Sequence, residues 1–378
     1  MRAPAPDRRR RRALFLVVPW LACLALIEIG VRVQRRGAPR SGDLSLDDEW
    51  RWVASHLARE GEATSGELSP LFMHDPVVGW RPRPLVRLPG VTTNSAGMRT
   101  SVEVPLARTP GQRRVLLVGD SYTWGDNVAD EHTFGHLLAT RHLPGWDVLN
   151  LGIPGSGTDQ QLLMFHEHGR RFGPDVVVLG FFVRDYPRNL VTFRDYAKPR
   201  FELEGDGLRL TNVPVLAPED VLAKYRAGER AVGQGLRWWT AGYAVSRWRE
   251  VASERVSEEA EGWLVLSRLM ERFAAEVLAA GATPVWMLIP MRTAVEEGAS
   301  KYDALEGLCE RRAAALGMPF LSVTEALRAR NVRDPVNLPR QAGGHLSPAG
   351  NEVIAELLAD LLPRLPPSPA LVGARGRP

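Results

Sequence analysis

The sequence predicts an α/β fold with a parallel sheet, on three observations. From residue 114 onward, short apolar runs alternate with stretches whose apolar residues fall at helical spacing. The runs are continuous, as in "RVLLVG" at 114–119, which is the pattern of strands covered on both faces. The first run leads straight into Gly119, Asp120 and Ser121, and in such folds sites lie beyond the carboxyl ends of the strands.

The elements follow in chain order. Arg8 to Arg12 precede an apolar run from Ala13 to Ile27 that continues past Glu28 to Val33. A membrane helix needs about 20 apolar residues, so a basic segment at 1–12 followed by a transmembrane anchor at 13–33 is expected. A cleaved signal peptide is the competing reading. The run lacks a clear A-x-A site, and Trp20-Leu21-Ala22-Cys23 is a poor lipoprotein signal, which favours the anchor. The arginines hold the N-terminus in the cytoplasm, which makes the chain a single-pass protein of the cell membrane with its main domain outside. Residues 34–112 form a linker and N-terminal extension: a linker at 34–45, helical spacing at 46–60, and stretches at 74–84 and 92–100 that are rich in Gly, Pro and Asn and expected to be mostly irregular. The main domain spans 113–362, with strands at 114–119, 147–152, 175–182, 283–290 and 318–323. Helices are expected at 133–143, 158–172, 258–281, 301–317 and 347–362. An insertion at 183–257, carrying Trp238, Trp239 and Trp248, interrupts the alternation as a lid or as a small subdomain packed by its aromatics. The tail, 363–378, has the composition of a disordered segment.

Charge and composition exclude several classes. Nine arginines against Asp7 and Glu28 give residues 1–36 a charge of +7, so residues 37–378 carry −3 of the total +4. That domain offers no electrostatic footprint for nucleic acid. Cys23 lies within the anchor and Cys309 in the main domain, so no intrachain disulfide is expected. His166 and His168 face different ways on a helix, and His132 and His136 lack a third ligand, so no metal site is expected. Residues 155–157 read Gly-Ser-Gly with no following Lys-Ser/Thr, so they are not a phosphate loop.

A serine after a strand can cap the next helix or face a site, and position alone leaves both open. Its company is more specific. "GDSYTWG" at 119–125, "NLGIPGSGTDQ" at 150–160 and "HLSPAGNEVIAELL" at 345–358 occur in that order on an alternating β/α chain. Together they resemble the sequence blocks of the SGNH (GDSL-type) hydrolases, and "NSAGMRT" at 94–100 resembles a segment of that family's membrane-anchored branch. The resemblance covers about 113–362 and implies a flavodoxin-like three-layer sandwich, here with an N-terminal membrane helix and an inserted subdomain. It implies that Ser121 is the nucleophile and His345 its base, with the backbone N–H groups of Ser121 and Gly155 facing the oxyanion and no cofactor. Asp120 would fix the turn by accepting from loop amides. The implied activity is that of a serine ester hydrolase or acyl transferase, with O-acyl groups of envelope polysaccharide or lipid as plausible substrates by location.

Two departures stand out. Arg184, followed by Asp185, occupies the place of the family's oxyanion-donating Asn. It would replace that donor, point outward as a solvated charge, or pair with Asp185. Ala342 and Gly343 occupy the place of the acid that orients the histidine. A backbone carbonyl would then orient His345 in a Ser–His dyad, or Asp334 would swing in. A catalytically degenerate glycan-binding or assembly protein is the alternative function.

Overall fold

Two small hairpins precede the sheet in the computed structural model, which describes residues 70–226 and 255–366 together with Trp20, Cys23 and Leu26. β1 (Phe72–Asp75) pairs antiparallel with β2 (Gly79–Pro82). Asp75 makes the turn, its Oδ1 accepting from the N–H groups of Val77 and Val78 at 3.0 Å. β3 (Arg87–Leu88) and β4 (Val91–Thr92) form a second, shorter pair. The expectation of mostly irregular chain at 74–84 is corrected here: strands this short, interrupted by Gly and Pro, carry no periodic signal.

The central sheet begins with β5 (Arg114–Gly119), followed by α1 (Ser121–Trp124) and α2 (Phe134–Leu137). Then come β6 (Asp147–Asn150), α3 (Thr158–Met164), β7 (Val176–Phe182) and α4 (Asp185–Arg188). The insertion contributes the hairpin β8 (Arg200–Glu204) and β9 (Gly207–Thr211), and α5 (Pro218–Arg226). The chain returns through α6 (Glu261–Ala279), β10 (Thr283–Ile289), α7 (Arg292–Glu296), α8 (Asp303–Ala315), β11 (Phe320–Ser322), α9 (Thr324–Asn331) and α10 (Pro348–Leu361).

Strands β6, β5, β7, β10 and β11 lie side by side in that order, all parallel. By order of appearance this is 2-1-3-4-5, the flavodoxin-like arrangement, whose switch point falls between β5 and β7. Right-handed crossovers put α2 on one face with α9 and α10, and α3, α6 and α8 on the other. Every residue of β5 and β7 is buried, as strands covered on both faces must be. Trp286 of β10 packs edge-to-face between Phe181 and Phe320, at 5.9 and 6.1 Å.

At the switch point Gly119 of β5 stands opposite Gly180 of β7. A Cβ on either would collide with Thr123 Oγ1 of α1. The glycine pair is what lets a helix begin directly over the strand ends.

The insertion is fastened at its start. Lys198 is fully buried, and its Nζ donates to Asp159 of α3 and to the carbonyls of Arg188, Val191 and Pro199. Residues 227–254, with Trp238, Trp239 and Trp248, lie outside the described residues, as do the helix expected at 46–60 and all of the anchor at 13–33 except Trp20, Cys23 and Leu26. No described helix is long and apolar enough to cross a membrane. The tail begins as a 3-10 turn, Leu362–Arg364, which ends the helical run of α10; beyond residue 366 it is outside the described residues.

Replacing Lys198 by Met strands the buried Asp159 carboxylate, and a loss of about 3–5 kcal/mol is expected. Urea unfolding of Lys198→Met against Lys198→Met/Asp159→Asn checks this: the second change recovers most of the loss.

Candidate active site

Asp120, the last residue before α1, is the helix cap: its Oδ1 accepts from Tyr122 N–H at 2.9 Å. Ser121 is therefore released from capping and becomes the first helical residue. Its Oγ lies 2.9 Å from His345 Nε2 and is within longer hydrogen-bond reach of Asp120 Oδ2, at 3.4 Å. A serine aimed at an imidazole is the arrangement from which a nucleophile is activated.

His345 arrives on the loop before α10. Its carbonyl accepts from Leu338 N–H at 2.7 Å, and Asn337 bridges Leu346 beside it. The ring stands against Tyr122, 5.0 Å between centroids, and Tyr122 in turn stacks on Phe182 at 4.2 Å. The far nitrogen, Nδ1, meets Asn127 Oδ1 at 2.6 Å. Neither a backbone carbonyl nor Asp334 holds this position. Asp334 pairs with Arg330 at 3.6 Å and is half exposed. It borders a separate depression of about 730 Å³ with Arg292, Asn337 and Arg340. The reason is local: its N–H and its carboxylate both answer to Arg330 at the end of α9, which turns it away from His345.

Beneath the serine lies a buried charge cluster. Arg188 Nη1 donates to Asp120 Oδ2 at 2.9 Å, to Asp185 Oδ1 at 2.6 Å and to the Ser156 carbonyl at 3.0 Å. Gln161 completes the shell by donating to Asp185 Oδ2 at 2.9 Å. Burial pushes the Asp185 carboxyl well up, the charge of Asp120 adds to this, and Arg188 opposes it. The sequence left three roles open for Arg184: a replacement donor, a solvated charge, or the partner of Asp185, a place that Arg188 takes. The arginines that line the cleft are Arg188, at the end of α4, and Arg194. Arg184 precedes α4 and is not among the residues that line the cleft.

The cleft itself measures about 470 Å³ and is lined by Ser121, His345, Gly155 and Asp126 under the rings of Phe72, Trp80 and Tyr196. Gly155 has φ +81, and the Asp195 carboxylate lies so close over it that a side chain there would collide. Asp126 donates its N–H to the Ser121 carbonyl at 2.9 Å. Burial pushes its carboxyl up, and His345 pulls the other way. Among the described residues no three His, Cys, Asp or Glu side chains converge to hold a metal ion.

A family model described as GDSL-like lipase/acylhydrolase matches residues 117–353, more than half of the chain. The chain belongs to this family. A solved lipase/acylhydrolase from Enterococcus faecalis is similar at 16% identity, covering 68% of this chain and 99% of its own, with a TM-score of 0.38. A catalytic mutant of Axe2, an acetylxylan esterase from Geobacillus stearothermophilus, is similar at 14% identity, covering 67% and 95%, with a TM-score of 0.38. TesA is similar at 16% identity, covering 66% and 98%, also at 0.38. No curated protein sequence matches the chain.

For a GDSL-like acylhydrolase, the residues that sequence reasoning missed are Asn127, Asp126, Arg188 and Asp195. Asn127 carried one signal: it sits six residues after the serine in a Gly-Asp-Asn turn, and Asn tolerates left-handed backbone. The others become visible only when α1, α4 and the insertion are brought together.

Asp185 gives a pH prediction. Its carboxyl titrates above its ordinary value when folded, so the folded state holds the proton longer than the unfolded chain. Its contribution to stability is present below the unfolded value and declines as pH rises through the folded one. Asp185→Asn removes this dependence, so the variant gains relative to wild type as pH rises from about 4. Urea unfolding of both proteins across that range is the check.

Proposed function

We propose that this acylhydrolase is a serine ester hydrolase or acyl transferase working through a Ser121 acyl-enzyme. The observation that carries the reading is the 2.9 Å hydrogen bond from the Ser121 hydroxyl to His345 Nε2. As Oγ attacks the ester carbonyl carbon, His345 takes its proton and becomes imidazolium. The tetrahedral oxyanion is met by the N–H groups of Ser121, at the start of α1, and of Gly155. The intermediate collapses, the imidazolium protonates the departing alcohol, and the acyl group stays on Ser121. Water, or a sugar hydroxyl, then gives its proton to His345 and accepts the acyl group, and His345 passes that proton to the departing Ser121 Oγ. Arg188 contributes positive charge beneath the site, but it is already engaged by Asp120 and Asp185, so it fixes the turn more than it attracts an anion.

The cleft supports an O-acyl sugar of an envelope glycan as substrate: aromatic rings from Trp80, Phe72 and Tyr196 flank polar groups from Asp126, Arg194 and Asp195. The arginine cluster and apolar run of the N-terminus support a single-pass anchor with this domain outside the cell membrane. A second reading, glycan binding without turnover, draws on Asp195, whose carboxylate stands over Gly155 and would oppose a developing negative charge there.

With a small acetyl ester and the full-length chain in detergent, Ser121→Ala is expected to lower kcat by on the order of 10³-fold or more. A fluorophosphonate is expected to label wild type and not the variant. Wild type equal to Ser121→Ala, with no label, would leave the binding reading. In cell fractionation the full chain is expected with the membranes, and a chain starting at residue 37 in the soluble fraction.

A further inference from the structure

We propose that Asn127 is the third member of the site, a positioning residue that holds His345 in the tautomer able to accept the Ser121 proton. The inference rests on Ser121 being the nucleophile. An amide oxygen is only an acceptor, so the 2.6 Å contact between Asn127 Oδ1 and His345 Nδ1 requires the imidazole proton on Nδ1. The lone pair is then on Nε2, facing the Ser121 hydroxyl at 2.9 Å. When Ser121 attacks, its proton moves to Nε2; Asn127 keeps its hydrogen bond and receives no proton.

Three further observations place Asn127 in this role. Its backbone is left-handed, φ +66, a conformation that Gly, Asn and Asp accept with little strain. Its loop is braced on both sides by the buried Arg99, which donates to the carbonyls of Gly125 at 2.7 Å and Val128 at 2.8 Å and pairs with Asp130 at 2.8 Å. Finally, Gly343, two residues before His345, has φ +99 and lies directly against the Asn127 amide. A Cβ at 343 would overlap Oδ1 and Cγ of Asn127. An acid at 343 and the amide of Asn127 therefore exclude one another, and they compete for the same nitrogen.

The other groups around His345 are Tyr122, whose ring packs on it, Asp126, which is within electrostatic reach, and Arg292, whose Nη1 approaches Gly344. None of them takes the Nδ1 hydrogen bond.

The test uses full-length protein, Asn127→Gly and Asn127→Asp, since both residues suit a left-handed backbone. The readouts are kcat and KM on a small acetyl ester across pH, and the imidazole proton and nitrogen resonances of His345. Asn127→Gly is expected to lower kcat by about 10²-fold or more with KM within about twofold, and to abolish the protected Nδ1–H resonance. Asn127→Asp is expected to keep the resonance and to move the acid limb of kcat/KM to higher pH, because a carboxylate favours the imidazolium. A purely structural residue would not produce that shift. Unchanged kcat and an unchanged Nδ1–H resonance in Asn127→Gly overturn the proposal, as does an Asn127→Asp pH profile that coincides with wild type. If wild type has no turnover that Ser121→Ala removes, the esterase reading fails, and the resonance alone still decides Asn127: lost in Asn127→Gly it supports the positioning role, and retained it refutes it.

Discussion

The close approach of α1 to the sheet governs this molecule. Gly119 and Gly180 stand side by side at the carboxyl ends of the two strands that flank the switch point, and Thr123 fills the space that their side chains would occupy. With α1 seated there, its first residue is held above the sheet, and the cap falls to Asp120. The serine hydroxyl is then free to face whatever the loops bring to it. A side chain on either glycine would lift the helix and carry the serine away from the histidine.

Seating α1 in this way buries charge. Asp120 and Asp185 are both fully buried and converge on one guanidinium. A buried charge left without a partner is strongly destabilising, while a partnered one is close to neutral. The cluster therefore acts as a geometric lock that fixes the turn after β5 relative to α4 and the loop after β6. Lys198 and Asp159 form a second such lock, which ties the insertion to α3 on the far side of the cleft. Three ion pairs and their hydrogen bonds thus fix the segments around Ser121.

The histidine is oriented without a negative charge at Nδ1. An amide fixes the tautomer as a carboxylate would, yet would give less support to an imidazolium. Asp126 lines the same cleft and feels His345 through space instead of through a hydrogen bond. Asp195, over Gly155, is paired with Arg194 in the same cleft. The electrostatics of the cleft are set by the loops, which differ from the family pattern, on a scaffold that follows it.

The sequence by itself determined the parallel sheet and the chain order of its strands and helices, and its resemblance to the SGNH blocks singled out Ser121 and His345. The five predicted strands all fall within two residues of the observed ones at either end, and for β5, β7 and β10 the reason is burial on both faces, which leaves continuous apolar runs. The tertiary structure alone decided which groups complete the site. Asn127, Arg188 and Gly343 are separated from their partners by 218 residues, by 68, and by a clash visible only in space. Arg184 and Arg188 are one helical turn apart, and no periodicity says which of them meets Asp120. Hydrophobic burial acts on patterns within a segment and is legible there; hydrogen bonds between loops depend on where the packed segments bring their ends.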